Sequence, residues 1–227
     1  NKSGEEYIYM AIRRGPLAQP ESATEVFAPV LSDVVDPRLE GGFLVDMAFW
    51  RATSAANTEI SSRITGDKRL FTNDTSVESS NSKTKWDFME GLYAGGITTS
   101  YSWLWKRAPN FFDVVAYTGN GTAGRTVSHN LGVAPEMMWV KSRNLNGGQW
   151  VVYHSGLNVN GEGNPETDYI RLNDTAAAAD IASMWNDTAP TSSVFSLGNF
   201  SWVNSSGSTF IAYLFASLDG ISKVGSY

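Results

Sequence analysis

Two histidines, His129 and His154, are the only imidazoles in the 227 residues, and there is no cysteine. That removes thiolate nucleophiles, disulfides, iron–sulfur clusters and Cys-rich zinc sites together. A serine nucleophile needs a strained elbow with a base beside it, and the chain has no Gly-x-Ser-x-Gly. His129 lies in Ser128-His129-Asn130-Leu131-Gly132, where an imidazole that orients a turn is expected in preference to a general base. No His-x-x-x-His or Glu-x-x-His pair occurs, so zinc chemistry is not expected. The acids Asp46, Asp87, Asp113, Glu136 and Asp174 are the raw material for the carboxylate pair of a glycosidase. Nothing in their spacing sets two of them across one bond. No catalytic residue and no metal ligand is therefore assigned.

Binding chemistry is better represented. Asn73-Asp74-Thr75 recurs as Asn173-Asp174-Thr175, each with a tryptophan about a dozen residues downstream. Amide and carboxylate oxygens of this kind suit sugar hydroxyls or a calcium ion, although the EF-hand spacing is absent. They equally make a turn, with Asp174 or Thr175 capping a following helix. Eight tryptophans could supply stacking faces. Trp86 and Trp185, and Phe49 with Trp139, stand at repeated positions and read as core anchors. Trp150, Tyr153 and Trp202 lie beside Gly/Asn-rich loops. With His154, Asn173 and Asp174 they form the expected ligand-binding set, and no cofactor is expected.

The elements that must position these residues are strands. Charged residues are only 18% of the chain and aromatics 12%, a make-up that folds. The net charge of −6 argues against a nucleic-acid surface. No apolar run is long enough for a membrane span, so no membrane insertion is expected. Alternating, β-branched or aromatic runs predict strands over 6–13, 24–30, 43–51, 57–65, 98–106, 111–117, 126–129, 136–141, 149–154, 168–172, 193–197 and 209–216. One helix is predicted over 174–185, where a capping Asp-Thr leads into four alanines. A hairpin is predicted between 200–203 and 209–211, across Asn204-Ser205-Ser206-Gly207.

Internal similarity organises these elements. Residues 42–51 align with 132–141: both read Gly, three residues, an acid, Met, one residue, an aromatic, one residue, a base. The Asn-Asp-Thr segments, the run Tyr101-Ser102-Trp103-Leu104-Trp105 against 210–215, and 114–117 against 224–227 follow in the same order. Residues 7–16 resemble 100–109, Arg13-Arg14-Gly15-Pro16 standing where Lys106-Arg107-Ala108-Pro109 stands. The expected organisation is residues 1–16 as the terminal strand of a preceding unit, 17–110 as a first β-sandwich, and 111–227 as a second. Its last residues would begin a further unit, as in a window on a longer tandem array whose ends could exchange strands with neighbours. The fold class is all-β: two tandem jelly-roll or concanavalin-like sandwiches, each with at most one short helix.

The run Phe112-Asp113-Val114-Val115-Ala116-Tyr117-Thr118-Gly119-Asn120-Gly121, followed by Val127-Ser128-His129-Asn130-Leu131-Gly132-Val133-Ala134-Pro135-Glu136-Met137-Met138-Trp139-Val140-Lys141, resembles a repeated domain of tail-fibre-like and other structural proteins of tailed phages, many of them marine. The likeness continues through Trp150-Val151-Val152-Tyr153-His154 and Phe195-Ser196-Leu197-Gly198 to Ala212-Tyr213-Leu214-Phe215; residues 17–110 match more loosely. The resemblance implies virion structure or adhesion and no reaction. The expected role is thus a non-enzymatic structural or adhesion module of a virion, extracellular, with neighbouring copies in a fibre and a cell-surface glycan as partners. A secreted carbohydrate-binding lectin and a polysaccharide depolymerase are the alternatives.

Overall fold

The computed structural model describes residues 17–32, 38–53, 57–81, 84–94 and 99–226. The strand expected over 6–13, and the preceding-unit assignment of 1–16, lie outside them. Among the described residues the first half carries β1 (Phe27–Ser32), β2 (Arg38–Glu40), β3 (Met47–Ala52), β4 (Glu59–Ser62), β5 (Lys68–Phe71), β6 (Ser79–Ser80), β7 (Thr84–Lys85), β8 (Gly91–Ala94) and β9 (Ser100–Trp105). The second half carries β10 (Phe112–Thr118), β11 (Arg125–Ser128), β12 (Met137–Ser142), β13 (Val151–His154), β14 (Asp168–Arg171), β15 (Ala179–Asp180), β16 (Val194–Leu197), the single-turn helix α1 (Ser201–Asn204) and β17 (Thr209–Phe215). All strand pairs are antiparallel, and the chain is an all-β sandwich.

The two halves are wound alike. Their large sheets run β1-β9-β3-β4-β5-β6 and β10-β17-β12-β13-β14-β15, each faced by a small sheet, β2-β8-β7 or β11-β16. First strand lies beside last, and second beside last but one, as in a jelly roll; the third to sixth continue as a meander. The registers agree as well: Phe27, Trp105 and Met47 share a row in one sheet, as Phe112, Phe215 and Met137 do in the other. The glycines of the aligned segments, Gly42 and Gly132, both have positive φ (74° and 85°), the backbone that a turn into the third strand requires.

Three apolar layers hold the strands together. One lies between the first large sheet and its small sheet (Leu39, Trp50, Trp86, Leu104). A second does the same in the other half (Val127, Val140, Trp185, Phe195, Leu214). The third is shared: Met47 and Leu70 pack with Phe112, Trp150, Tyr213 and Phe215 where the two large sheets meet. Side chains alternate between layers along β17, with Phe210, Ala212 and Leu214 in the second and Ile211, Tyr213 and Phe215 in the third. Phe49 and Trp139 pack against the shared layer rather than anchoring one sandwich each.

Edges are managed by local chemistry. β1 carries Pro29 on the rim of its sheet. On β10 the Val114 N–H donates to the Asp113 carboxylate (2.9 Å) and Arg125 donates to the Thr118 carbonyl.

Several expectations need correction. No helix forms over 174–185: Asp174 closes a turn by accepting from the Ala176 N–H, and Ala179–Asp180 pairs with β14 instead. The alanines' helix propensity yields to sheet pairing and to burial of Trp185, whose indole N–H bonds the Asp168 carbonyl (2.9 Å). The hairpin is also absent, because residues 201–204 form α1 while β17 pairs with β10 and β12. Apart from these corrections, Leu218 and Ser222 form an isolated bridge at the C-terminal end, as Ala108 and Phe112 do at the start of the second half. The short strands β2, β5, β6, β7, β8 and β15 were not anticipated.

Candidate functional site

The six expected ligand-binding residues are scattered, and two of them, Trp150 and Tyr153, are buried. Trp150 is fully buried. It stacks on Tyr213 with ring centroids 6.2 Å apart, and its indole N–H donates to the Phe71 carbonyl of the other half (2.7 Å). Tyr153 is buried edge-on against Trp185, and burial pushes its phenol up to about 12. Neither offers a face to a ligand, which corrects their reading as loop-side residues. His154 is half-buried, and its Nδ1 accepts the Gly156 N–H (2.9 Å) in a turn.

Asn173 does structural work. Its Oδ1 accepts the Trp150 backbone N–H (2.8 Å) and its Nδ2 donates to Gln149 (2.6 Å). Asn73 repeats this in the first half, accepting from the Thr58 N–H (3.1 Å) and donating to Asn57 (3.0 Å). Asp74 and Asp174 each accept an N–H two residues ahead, from Ser76 and Ala176. The recurring Asn-Asp-Thr segments are therefore the same clamp made twice, an Asx turn closed over the start of the fourth strand of its half. His129 is likewise a turn element. The Leu131 N–H donates to Nδ1 (3.2 Å), so Nε2 carries the proton and donates to the Thr191 carbonyl (3.2 Å), and burial lowers its pKa.

Trp202 and Asp174 do come together, through a residue that the sequence reading missed. Arg171, at the end of β14, donates to the Asp174 carboxylate (2.8 Å) and lies 5.2 Å over the Trp202 ring. Phe200 meets that indole edge-on at 5.0 Å. The Ala176 N–H and Arg171 hold the Asp174 carboxyl below its usual range, so it stays an acceptor and is poorly suited to giving up a proton. An arginine three residues before the acid at a strand end was the available signal. The cluster offers a half-exposed indole rimmed by a charge pair, chemistry that fits hydroxyl-rich ligands.

Of the other candidate carboxylates Asp87 is exposed, while Asp113, Asp46 and Glu136 are tied to the frame. Asp113 is buried, holding Arg107 (2.5 Å) and the Val114 and Asn130 N–H groups. Asp46 accepts the Arg107 N–H (2.7 Å), and burial raises its pKa. Glu136, at the matching place, accepts from Ser217. Among the described residues no three of His, Asp and Glu are grouped to hold a metal ion, and no helix is long and apolar enough to cross a membrane. A groove of about 240 Å³ beside Leu39, Phe88 and Met89 is smaller than the roughly 300–1,000 Å³ of ligand sites.

A second surface feature lies on the first large sheet, on the face that also forms the shared layer. Beyond the covered part, Leu31 and Tyr101 stand 61% and 56% exposed, beside exposed Pro29 and Arg51 and half-buried Phe49 and Trp103. Residues 41–227 match the family described as a domain of unknown function, DUF7483. Comparisons with curated proteins and with solved structures find no match.

Proposed function

We propose that this chain, which belongs to the DUF7483 family, is a non-enzymatic structural and adhesion module of a virion, part of a tail fibre or surface appendage. One observation carries the reading: two halves of like winding stack through the same face of their large sheets, burying an aromatic layer between them. A unit that packs on its own kind in this way suits a stacked appendage. The resemblance of 111–227 to repeated domains of phage structural proteins points the same way. Neighbouring copies in the fibre and a host cell-surface glycan are the partners, and the setting is extracellular. Electron microscopy of the native source with antibodies against this chain tests it. Label along fibres or virions is expected; a discrete monomer free of any particle would overturn it.

The Arg171–Asp174–Trp202 cluster favours a second reading, a secreted carbohydrate-binding module. A glycan array tests that reading, with binding by the native chain that Trp202→Ala removes as the expected result.

A further inference from the structure

We infer that the open end of the first large sheet is a contact between copies of this chain, each giving the face formed by Leu31, Phe49, Arg51, Tyr101 and Trp103. The inference rests on the assembly reading above and names the surface that assembly would use.

Equivalent rows of the two large sheets differ in how they are covered. In the second half, Ile211 and Lys141 share a row facing the shared layer, with Trp150 beside it; all three are fully buried by the first half. The matching residues of the first half are Tyr101, Arg51 and, beside the row, Thr58; Leu31 pairs with Tyr101 at the β1 end, where its counterpart Ala116 is exposed as well. Here the same face is open: Tyr101 stands at the place of Ile211, yet is 56% exposed where Ile211 is 0%. This end of the first sheet is thus left uncovered by the second.

The exposed residues therefore continue the buried interface without a break. Phe49 lies tilted against Trp103 at 4.7 Å and stacked on Trp105 at 4.9 Å, and Trp105 packs against the shared layer, so one aromatic run leads from the covered zone to the open one. An apolar sheet face left at the rim of a sheet-on-sheet contact suits another such face. A second copy offers the same patch, and a two-fold pairing needs only that the patch complement itself. Leu31 and Phe49 would interdigitate, and Arg51 can lie over a facing Tyr101 ring, away from its own symmetry mate. Adding a strand at the β1 rim is opposed by Pro29, so the face and not the edge is the contact. A sugar would need hydrogen-bonding partners for its hydroxyls, and this face supplies mainly carbon.

The absence of cysteine makes the test clean. Sedimentation velocity of the 227-residue chain across a concentration series should show reversible dimer, reduced at least tenfold in affinity by Leu31→Asp with the circular dichroism spectrum unchanged. Tyr101→Cys should form a disulfide-linked dimer under mild oxidation, while Val159→Cys, on an exposed loop of the second half, should not. A chain monomeric at every concentration overturns the inference, as does equal cross-linking at both positions. Dimer that survives Leu31→Asp also overturns it, while leaving the assembly reading to the microscopy. A monomeric chain whose binding to a polysaccharide is lost in Tyr101→Cys overturns it in favour of a glycan on this face.

Discussion

The two halves of the molecule share their frame and differ in what lies over it. In both, an Asn of Asn-Asp-Thr holds the N–H just ahead of the fourth strand, and the acid before the third strand donates its own N–H to the last strand, Asp46 to Trp105 and Glu136 to Phe215. In both, a tryptophan near the sixth strand bonds a carbonyl near the fifth, Trp86 to Gly66 and Trp185 to Asp168. These backbone clamps set the winding. The residues on the common face then decide its fate: Thr58, Arg51 and Tyr101 leave it partly open where Trp150, Lys141 and Ile211 are covered. Winding and cover are thus written in different residues of the same strands.

The sharpest break of this comparison is at the position held by Thr58 in one half and Trp150 in the other. Trp150→Ala removes a fully buried indole and orphans the Phe71 carbonyl across the interface. A loss of about 3–5 kcal/mol is expected in urea unfolding. Thr58→Ala keeps the backbone bond to Asn73 and should cost under about 1 kcal/mol. Equal costs would show that the halves do not depend on the shared layer as described.

Lys141 sharpens the contrast with exposed Arg51. Its ammonium is buried between the halves, donating only to the Thr75 and Ser142 carbonyls (3.4 and 3.2 Å), and burial lowers its pKa to about 8. The folded-state value lies below the unfolded one near 10.5, so above pH 8 the unfolded chain binds the proton that the folded chain has released. Stability should rise with pH by about 2 kcal/mol between pH 8 and 9.5. The cost of the buried charge is complete below pH 8. Lys141→Met should flatten this slope and stabilise the protein at pH 7 by a similar amount. The tyrosines act in the opposite sense and only near pH 10 and above, where unfolded phenols ionise while buried Tyr153 does not.

Glu78→Gln probes the same interface more gently. Arg143 donates two bonds to this carboxylate, at 2.6 and 3.0 Å, and the backbone bond from the Glu78 N–H to the Arg143 carbonyl survives the change. A loss of about 1–2 kcal/mol is expected, reduced little by salt because Glu78 is largely buried. A loss that vanishes in 1 M salt would place this contact at the surface and not in the seam.

Much of this frame was legible in the sequence, because alternating strands between Gly/Asn turns carry a strong local signal. The alignment of 42–51 with 132–141 brings Met47 opposite Trp105 and Met137 opposite Phe215 in the folded chain. The short strands escaped because a run such as Lys68-Arg69-Leu70-Phe71 is too brief and too charged to show a period. The alanines after Asp174 misled, since helix propensity is a weak prior against sheet pairing. Trp150 was misplaced for another reason: its burial comes from the other half, beyond any local window. The usable clue was the unbroken apolar run over 150–153, like that over 210–216, which marks strands covered on both faces.

The smallest expected effect concerns the outer surface, where the halves differ in how an arginine meets an aromatic ring. Arg69 lies 5.3 Å over Phe71 and pairs with Glu59 inside the first half's large sheet. Arg171 lies 5.2 Å over Trp202, pairs with Asp174, and joins β14 to the turn of α1. Its side chain is 29% exposed, so its charge is well screened by solvent. Arg171→Ala should cost only about 0.5–1 kcal/mol. Its clearer signature is optical: removing the guanidinium wets one face of Trp202 and should shift tryptophan emission to the red, an effect absent in a Trp202→Phe background. Arg69→Ala leaves that indole untouched and should give no such shift. If both arginine variants shift emission alike, the cluster at Trp202 is not the separate surface feature on which the glycan reading depends.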